Sequence, residues 1–272
     1  MKERKAIKER FQDKVAIVTG GSSGIGKATV EEICGEGASV LYTGLEDDGH
    51  QMASEMTRHG FKVAYCQGDM ASEKFCQEAV AMALTKFGKI NYLLNNAFSF
   101  VSKSLDASRE DWLRTFEVGP VAFALMGSLV AESMKKQGGG AIVNVSSISA
   151  FIAQPNRWTY NAAKGAVHTL TKCMALDLVP YGVRVNSVSP GWIWTREVLK
   201  AAAGDREKWQ PVWGQYHMLG RLGEPAEVAA AILFLFSDDA TFVNAADLAV
   251  DGGYGGLGPE GLGQTSKFAG TL

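Results

Sequence analysis

Apolar residues fall along this chain in short runs rich in β-branched residues, separated by longer stretches with helical spacing. The short runs are KVAIVT (14–19), ASVLYT (38–43), KVAYCQ (62–67), INYLLN (90–95), AIVNVS (141–146), VRVNSV (183–188) and DLAV (247–250). Each is bounded by turn-forming or polar residues and is strand-sized. Helical patterns lie between them, over 25–35, 48–59, 72–87, 109–137, 156–179 and 225–236. Alternating strands and helices predict βαβ units, hence a parallel sheet. With right-handed helical crossovers these seven strands make a doubly wound α/β sheet covered on both faces.

No linker divides the pattern, so one domain is expected over 12–254. Residues 1–11 read as a basic, solvated N-terminal extension, and 255–272 as a Gly-rich tail. Residues 191–218 read as an insertion before the last helix, a substrate loop or lid rich in Trp, with a short helix near 196–203.

Composition narrows the class. Of 272 residues, 46% are hydrophobic and 21% charged, the balance of a soluble globular protein whose core needs no metal or disulfide. A formal net charge of −2 counts against a general nucleic-acid binder. MKERKAIKER (1–10) lacks the apolar centre of a signal peptide, and ILFLF (232–236) is too short to span a membrane. Cys34, Cys66, Cys76 and Cys173 form no CxxC pair, which suits reduced thiols and a cytoplasmic location. The four histidines show no ligand spacing, so no metal is expected.

Two local patterns carry chemistry. The first strand runs into TGGSSGIGKA (19–28), with Gly20, Gly24 and Gly26 at the opening of a helix. Glycines there allow close backbone approach, and a helix N-terminus offers free N–H groups to a phosphate. An ordinary Gly-rich turn would also fit, but ligands bind outside the carboxyl ends of strands in such folds. The second pattern is TYNAAKG (159–165). Tyr160 and Lys164 stand one helical turn apart on one face. By itself this is a common accident of helix surfaces.

In order along the chain stand TGGSSGIG (19–26), Asp69, NNA (95–97), Ser147 after IVNVS, YNAAK (160–164), PGWIWT (190–195) and DGG (251–253). In this order and spacing the chain resembles the short-chain dehydrogenase/reductase family, over roughly residues 12–254. The resemblance implies a single Rossmann-type domain and an NAD(P)-dependent oxidoreductase acting on a CH–OH group. It implies Ser147, Tyr160 and Lys164 as the catalytic residues. Tyr160 would be the general acid/base, and a cation at Lys164 would lower its pKa. Tyr160 and Lys164 would also contact the cofactor, Lys164 at the nicotinamide ribose, and Ser147 would bond the substrate oxygen. For the cofactor it implies Gly20, Ser22, Ser23, Gly24, Ile25 and Gly26 at the pyrophosphate, and Leu45, Asp69 and Met70 towards the adenosine. Asn96 and Ala97 would run along its ribose, with Pro190, Ile193 and Thr195 at the nicotinamide.

The sequence departs from the family at three places. Gly119, followed by Pro120, stands where the family carries a fourth catalytic Asn in a proton relay. Phe98 replaces the last glycine of NNAG. At the end of the second strand, YTGLEDDG (42–49) places Gly44 where NAD enzymes often have an acid, and Leu45 where NADP enzymes often have Arg. Glu46, Asp47 and Asp48 would repel a 2′-phosphate, so NAD is favoured over NADP.

Trp158, Trp192, Trp194, Trp209, Trp213, Tyr216 and Phe98 fall on segments that flank the substrate cleft in similar enzymes. They could wall a pocket, or several could simply fill a lid or an interface. Gln154, Asn156 and Arg157 add polar groups near Tyr160, so the expected substrate-binding set is Phe98, Ser147, Gln154, Tyr160 and Trp192. A sugar, polyol or cyclic alcohol is expected, with a sugar or polyol first. The alternatives are an NADPH-dependent 3-oxoacyl-thioester reductase and a catalytically weak dinucleotide-binding scaffold or sensor. Family members are commonly homo-oligomers, so a dimer or tetramer is expected, with the tail reaching a neighbouring subunit.

Overall fold

A computed structural model describes residues 6–258 and residue 261. The chain runs from β1 (Val15–Val18) to α1 (Gly24–Gly35), β2 (Ser39–Gly44), α2 (Asp48–Arg58), β3 (Val63–Gln67) and α3 (Glu73–Phe87). It continues through β4 (Tyr92–Asn95), α4 (Arg109–Phe116), α5 (Ala122–Lys136), β5 (Gly140–Val145) and α6 (Trp158–Leu178). It ends with β6 (Val183–Pro190), α7 (Arg196–Ala201), α8 (Arg206–Gly214), α9 (Pro225–Phe236) and β7 (Asp247–Val250). The strands form one parallel sheet in the order β3-β2-β1-β4-β5-β6-β7. This is the doubly wound parallel sheet that the apolar pattern predicts, of the Rossmann type that the resemblance implies.

Alternation along each strand sorts the core into two layers. Ala16, Val18, Val40, Tyr42, Leu94 and Val143 face one side, where Val30, Ile33, Ile232 and Phe236 of α1 and α9 pack on them. Ile17, Leu41, Leu93, Ile142 and Val185 face the other, against α3, α5 and α6. Side chains buried on both faces explain why the strands read as continuous apolar runs.

Three features depart from the sequence expectation. The start of the chain is not wholly a solvated extension. Phe11 is fully buried and sits edge-on to Tyr92 with ring centroids 5.6 Å apart, while Arg10 Nε donates to Glu36 at 2.5 Å. The buried ring and the bonds of Ile7 N and Arg10 to Glu36 hold residues 7–11 against the fold. The helix expected over 109–137 is two helices, broken at Gly119, whose φ of −89° and ψ of −113° are not helical. Pro120, which has no N–H, follows at once. The stretch Arg109–Lys136 is apolar and long enough to cross a membrane, yet half of its apolar window is buried inside the fold. In the 191–218 insertion a second helix, α8, joins the short one. Its Pro211 masked it in the sequence; the Asp205 carboxylate caps it by accepting from Lys208 N at 3.0 Å. The tail's proposed reach to a neighbour lies outside the described residues.

From β1 the chain winds outward through β2 to β3, then crosses back to place β4 on the other side of β1. That reversal opens a crevice at the carboxyl ends of β1 and β4, where the glycine turn begins.

Candidate active site

One open cavity of about 850 Å³ runs along the carboxyl ends of the strands. At one end it is floored by the turn between β1 and α1. A Cβ on Gly26 would lie 2.2 Å from the Gly20 carbonyl oxygen, so only glycine permits this turn. Gly20 and Gly24 take left-handed φ values of 63° and 54°. Ser23 occupies the N-cap of α1 but makes no side-chain bond to the helix. The first N–H groups of α1 are therefore left for another acceptor.

Thr19, which the sequence does not mark as a site residue, and Asn96, which it does, brace this turn. Thr19 Oγ1 accepts from the backbone N–H groups of Asn96 and Ala97 at 2.9 and 3.0 Å. The Asn96 amide donates to the carbonyls of Thr19 and Gly20 at 2.9 and 3.0 Å. Asn96 thus builds the turn through its side chain. Behind it, Asn95 Nδ2 donates to Asn144 Oδ1 at 2.9 Å, and Asn144 Nδ2 to Thr171 Oγ1 at 3.0 Å. This buried chain of amides locks β4, β5 and α6 in register. Only the doubled asparagine of NNA hinted at it.

Asp69 lines the cavity, but its carboxylate is already engaged. Arg114 Nη1 donates to Oδ2 at 2.6 Å and the Ala71 N–H to Oδ1 at 3.0 Å. Burial alone would raise its pKa; these bonds outweigh it and hold the carboxyl below the usual range. Met70 lies buried beside it. Leu45 is exposed at the tip of β2. A Cβ on Gly44 would meet Ser22 Oγ at 2.6 Å and the Tyr65 hydroxyl at 2.8 Å, so an acid there would require both side chains to shift.

The other end of the cavity holds Ser147, Tyr160 and Lys164. Ser147 follows β5 and opens a short 3-10 turn, where its oxygen accepts from Ser149 N at 3.1 Å. Tyr160 and Lys164 project from the first turns of α6 and are buried. Lys164 Nζ donates to the Val145 carbonyl at 2.8 Å. Burial pushes the ammonium down to about 7. Burial likewise raises the Tyr160 phenol, opposed by its bond to Ser147 and by the charge of Arg157. From the sequence, a cation at Lys164 is expected to lower the phenol pKa. Without further charge in the site, desolvation of the phenol dominates instead, and Ser147 and Arg157 are the groups that pull it down.

Loop 190–195 closes the cavity. Pro190 ends β6, and Ile193 bridges to Gly223. Thr195 stands at the N-cap position of α7 opposite the glycine turn, without a side-chain bond to the helix, its methyl 3.4 Å from where a Cβ on Gly24 would stand. The tryptophans divide. Trp192 and Trp213 line the cavity, whereas Trp209 stacks on Trp213 with centroids 4.8 Å apart and fills the lid with Trp194. Trp158 and Tyr216 are exposed and do not line it. Gln154 does, with Oε1 accepting from Ser149 Oγ at 2.6 Å. His217, unremarked in the sequence, ties the lid down. Its Nε2 accepts from Trp192 N and its Nδ1 donates to the Trp213 carbonyl, both at 3.3 Å. Burial lowers its pKa and keeps the ring neutral for this bridge.

Every site residue expected from the sequence lines this one cavity except Gly26, which lies beneath the turn. The arrangement suits a dinucleotide: an uncapped helix N-terminus, a turn with no room for a side chain, and a cavity reaching from there to a buried phenol.

Comparison with known proteins agrees. The profile of a family described as "Enoyl-(Acyl carrier protein) reductase" matches residues 20–255. Cyclopentanol dehydrogenase of Comamonas sp. (strain NCIMB 9872) is 39% identical over 250 residues, covering 90% of this chain and 98% of that protein. Cyclohexanol dehydrogenase of Acinetobacter sp. (strain SE19) is 35% identical over 253 residues, covering 92% and 98%. The solved structure of a 7α-hydroxysteroid dehydrogenase with NADH and 7-oxoglycochenodeoxycholic acid superposes with a TM-score of 0.83 at 33% identity, covering 90% of this chain and 95% of that one. The chain belongs to the short-chain dehydrogenase/reductase family. It is an NAD(P)-dependent oxidoreductase that interconverts a secondary alcohol and a ketone by hydride transfer.

Proposed function

We propose that this enzyme oxidises a cyclic secondary alcohol with NAD, using Tyr160 as general base. The observation that carries the reading is the buried Ser147–Tyr160–Lys164 group at the end of a cavity whose other end is an uncapped glycine turn. The bound nicotinamide supplies the hydride acceptor. Ser147 holds the substrate oxygen, Tyr160 takes the hydroxyl proton, and Lys164 holds the ribose and adds charge beside the phenol. The order of substrates shifts from the sequence reading. Phe98, Phe100, Trp192 and Trp213 give the cavity an aromatic wall, and relatives named for cyclopentanol and cyclohexanol favour a compact alicyclic ring over a polyol.

NAD is supported by the tip of β2. Glu46 lines the cavity there, Leu45 offers no charge, and Arg196, the base on that side, is paired with Asp48 at 3.7 Å. A homo-oligomer, dimer or tetramer, is supported by the open sheet edge at β7, with Phe242 fully exposed just before it. Light scattering reads it directly.

A panel of cyclic alcohols, sugars and polyols with NAD and with NADP tests the substrate and cofactor together. Cyclic alcohols with NAD should give the highest kcat/KM. Turnover of polyols alone, or of NADP alone, would overturn the reading.

A further inference from the structure

Lys164 is an ammonium with almost no exposure and no carboxylate partner among the described residues. One of its protons goes to the Val145 carbonyl. On another side lies the ring of Phe98, with Nζ 3.7 Å from the ring centroid. The negative face of an aromatic ring attracts a cation at such a distance, most strongly where water is excluded. The same ring stands edge-on to Tyr160, with centroids 5.3 Å apart and planes at 81°. Phe100 stacks on Tyr160 at 5.2 Å. The phenol and the ammonium are thus both walled by phenylalanine.

The far edge of the Phe98 ring reaches the break between α4 and α5. A Cβ built on Gly119 would lie 2.7 Å from Phe98 Cε2 and 3.3 Å from Cζ. Gly119 is buried, so relief would have to come from the half-buried Phe98 ring, which would then leave its place over Lys164. The room beside Lys164 that a side chain at 119 would take is occupied by the ring at 98.

We propose that Phe98 is a positioning residue that caps the Lys164 ammonium and seals it from the break between α4 and α5, and that Gly119 is its obligatory steric partner. Two of the three departures from the family pattern are then one feature. The Tyr160–Lys164 pair exchanges protons with solvent through the cavity mouth, because the helix-break side is filled by carbon. Few charged groups bear on this pair. Tyr160 faces Lys164 from α6, Arg157 acts on Tyr160, Glu117 in the break is exposed, and β5 contributes only the Val145 carbonyl.

Two experiments test the proposal, and the first needs no substrate, so it stands apart from the proposed activity. Melting temperatures are measured for Gly119→Ala, Phe98→Gly and the double variant. Gly119→Ala should lose several degrees when Phe98 is present and little when it is not. Additive losses would overturn the steric pairing. The second uses whichever alcohol the wild type oxidises. Phe98→Leu, which fills space without a π-face, should move the acid limb of the kcat–pH profile to higher pH by about half a unit or more. Trifluorophenylalanine at position 98, which keeps the shape and weakens the ring's negative face, should move it the same way. A fluorinated ring indistinguishable from phenylalanine would overturn the capping of Lys164.

Discussion

The two ends of the cavity are built from different materials. The turn end is backbone and small residues: Gly20, Gly24, Gly26 and the uncapped start of α1, braced by Thr19 and Asn96. The tyrosine end is side chains packed on side chains: Tyr160 and Lys164 between Phe98 and Phe100, roofed by Trp192 and Trp213. A backbone-built end tolerates almost no substitution, so its composition is recorded in a short motif. A side-chain-built end can be filled in several ways, and its composition follows the substrate and the neighbours already present.

The largest effects should come from the tyrosine end. Tyr160→Phe removes the proton acceptor and should lower kcat by about 10²–10⁴-fold with dinucleotide affinity little changed. Loss of binding instead would make Tyr160 a cofactor residue. Ser147→Ala should cost about 10²–10³-fold in kcat, the usual loss of one donor to the reacting oxygen. The turn end should answer differently. Gly26→Ala should raise the KM for NAD by about tenfold or more and lower stability by about 1–3 kcal/mol, since its Cβ meets the Gly20 carbonyl. An unchanged KM would show that the turn is not the cofactor floor.

The smaller effects sharpen the comparison. Burial lowers Lys164 from 10.5 to about 7. The charged form is disfavoured by folding, so the free enzyme loses stability as pH falls through that window, fully by its lower end. Lys164→Met should therefore be inactive yet melt higher than wild type near the lower end of the window, the gap closing towards the upper end. A variant that melts lower throughout would show that the Val145 and Phe98 contacts outweigh desolvation. Leu45→Arg should shift the NADP-to-NAD ratio of kcat/KM by a few fold only, because Glu46 and Asp48 remain nearby.

The contrast also marks what the sequence could reveal. The central strands were legible because they are buried and apolar on both faces, and the glycine turn because no other residue fits it. Tyr160 and Lys164 were legible only once their order among the other motifs was considered, since their spacing is common on helices. Asn95, Asn144 and His217 were not, because their partners lie far along the chain: 49 residues from Asn95 to Asn144, 25 from Trp192 to His217. The burial of Phe11 is hidden for the opposite reason, a basic run that masks one core ring. Gly119 and Phe98 each stood out as departures, yet their contact across 21 residues of chain emerges only from the fold.

Central to the proposed function is hydride passing from a cyclic alcohol to the dinucleotide while Tyr160 takes the proton. Cyclohexanol deuterated at the carbinol carbon, incubated with NAD and the wild-type enzyme, tests this most directly. The deuterium should appear in the reduced dinucleotide, at least about a hundredfold more slowly with Tyr160→Phe. Deuterium released to water, or transfer at equal rates by the two proteins, would contradict it.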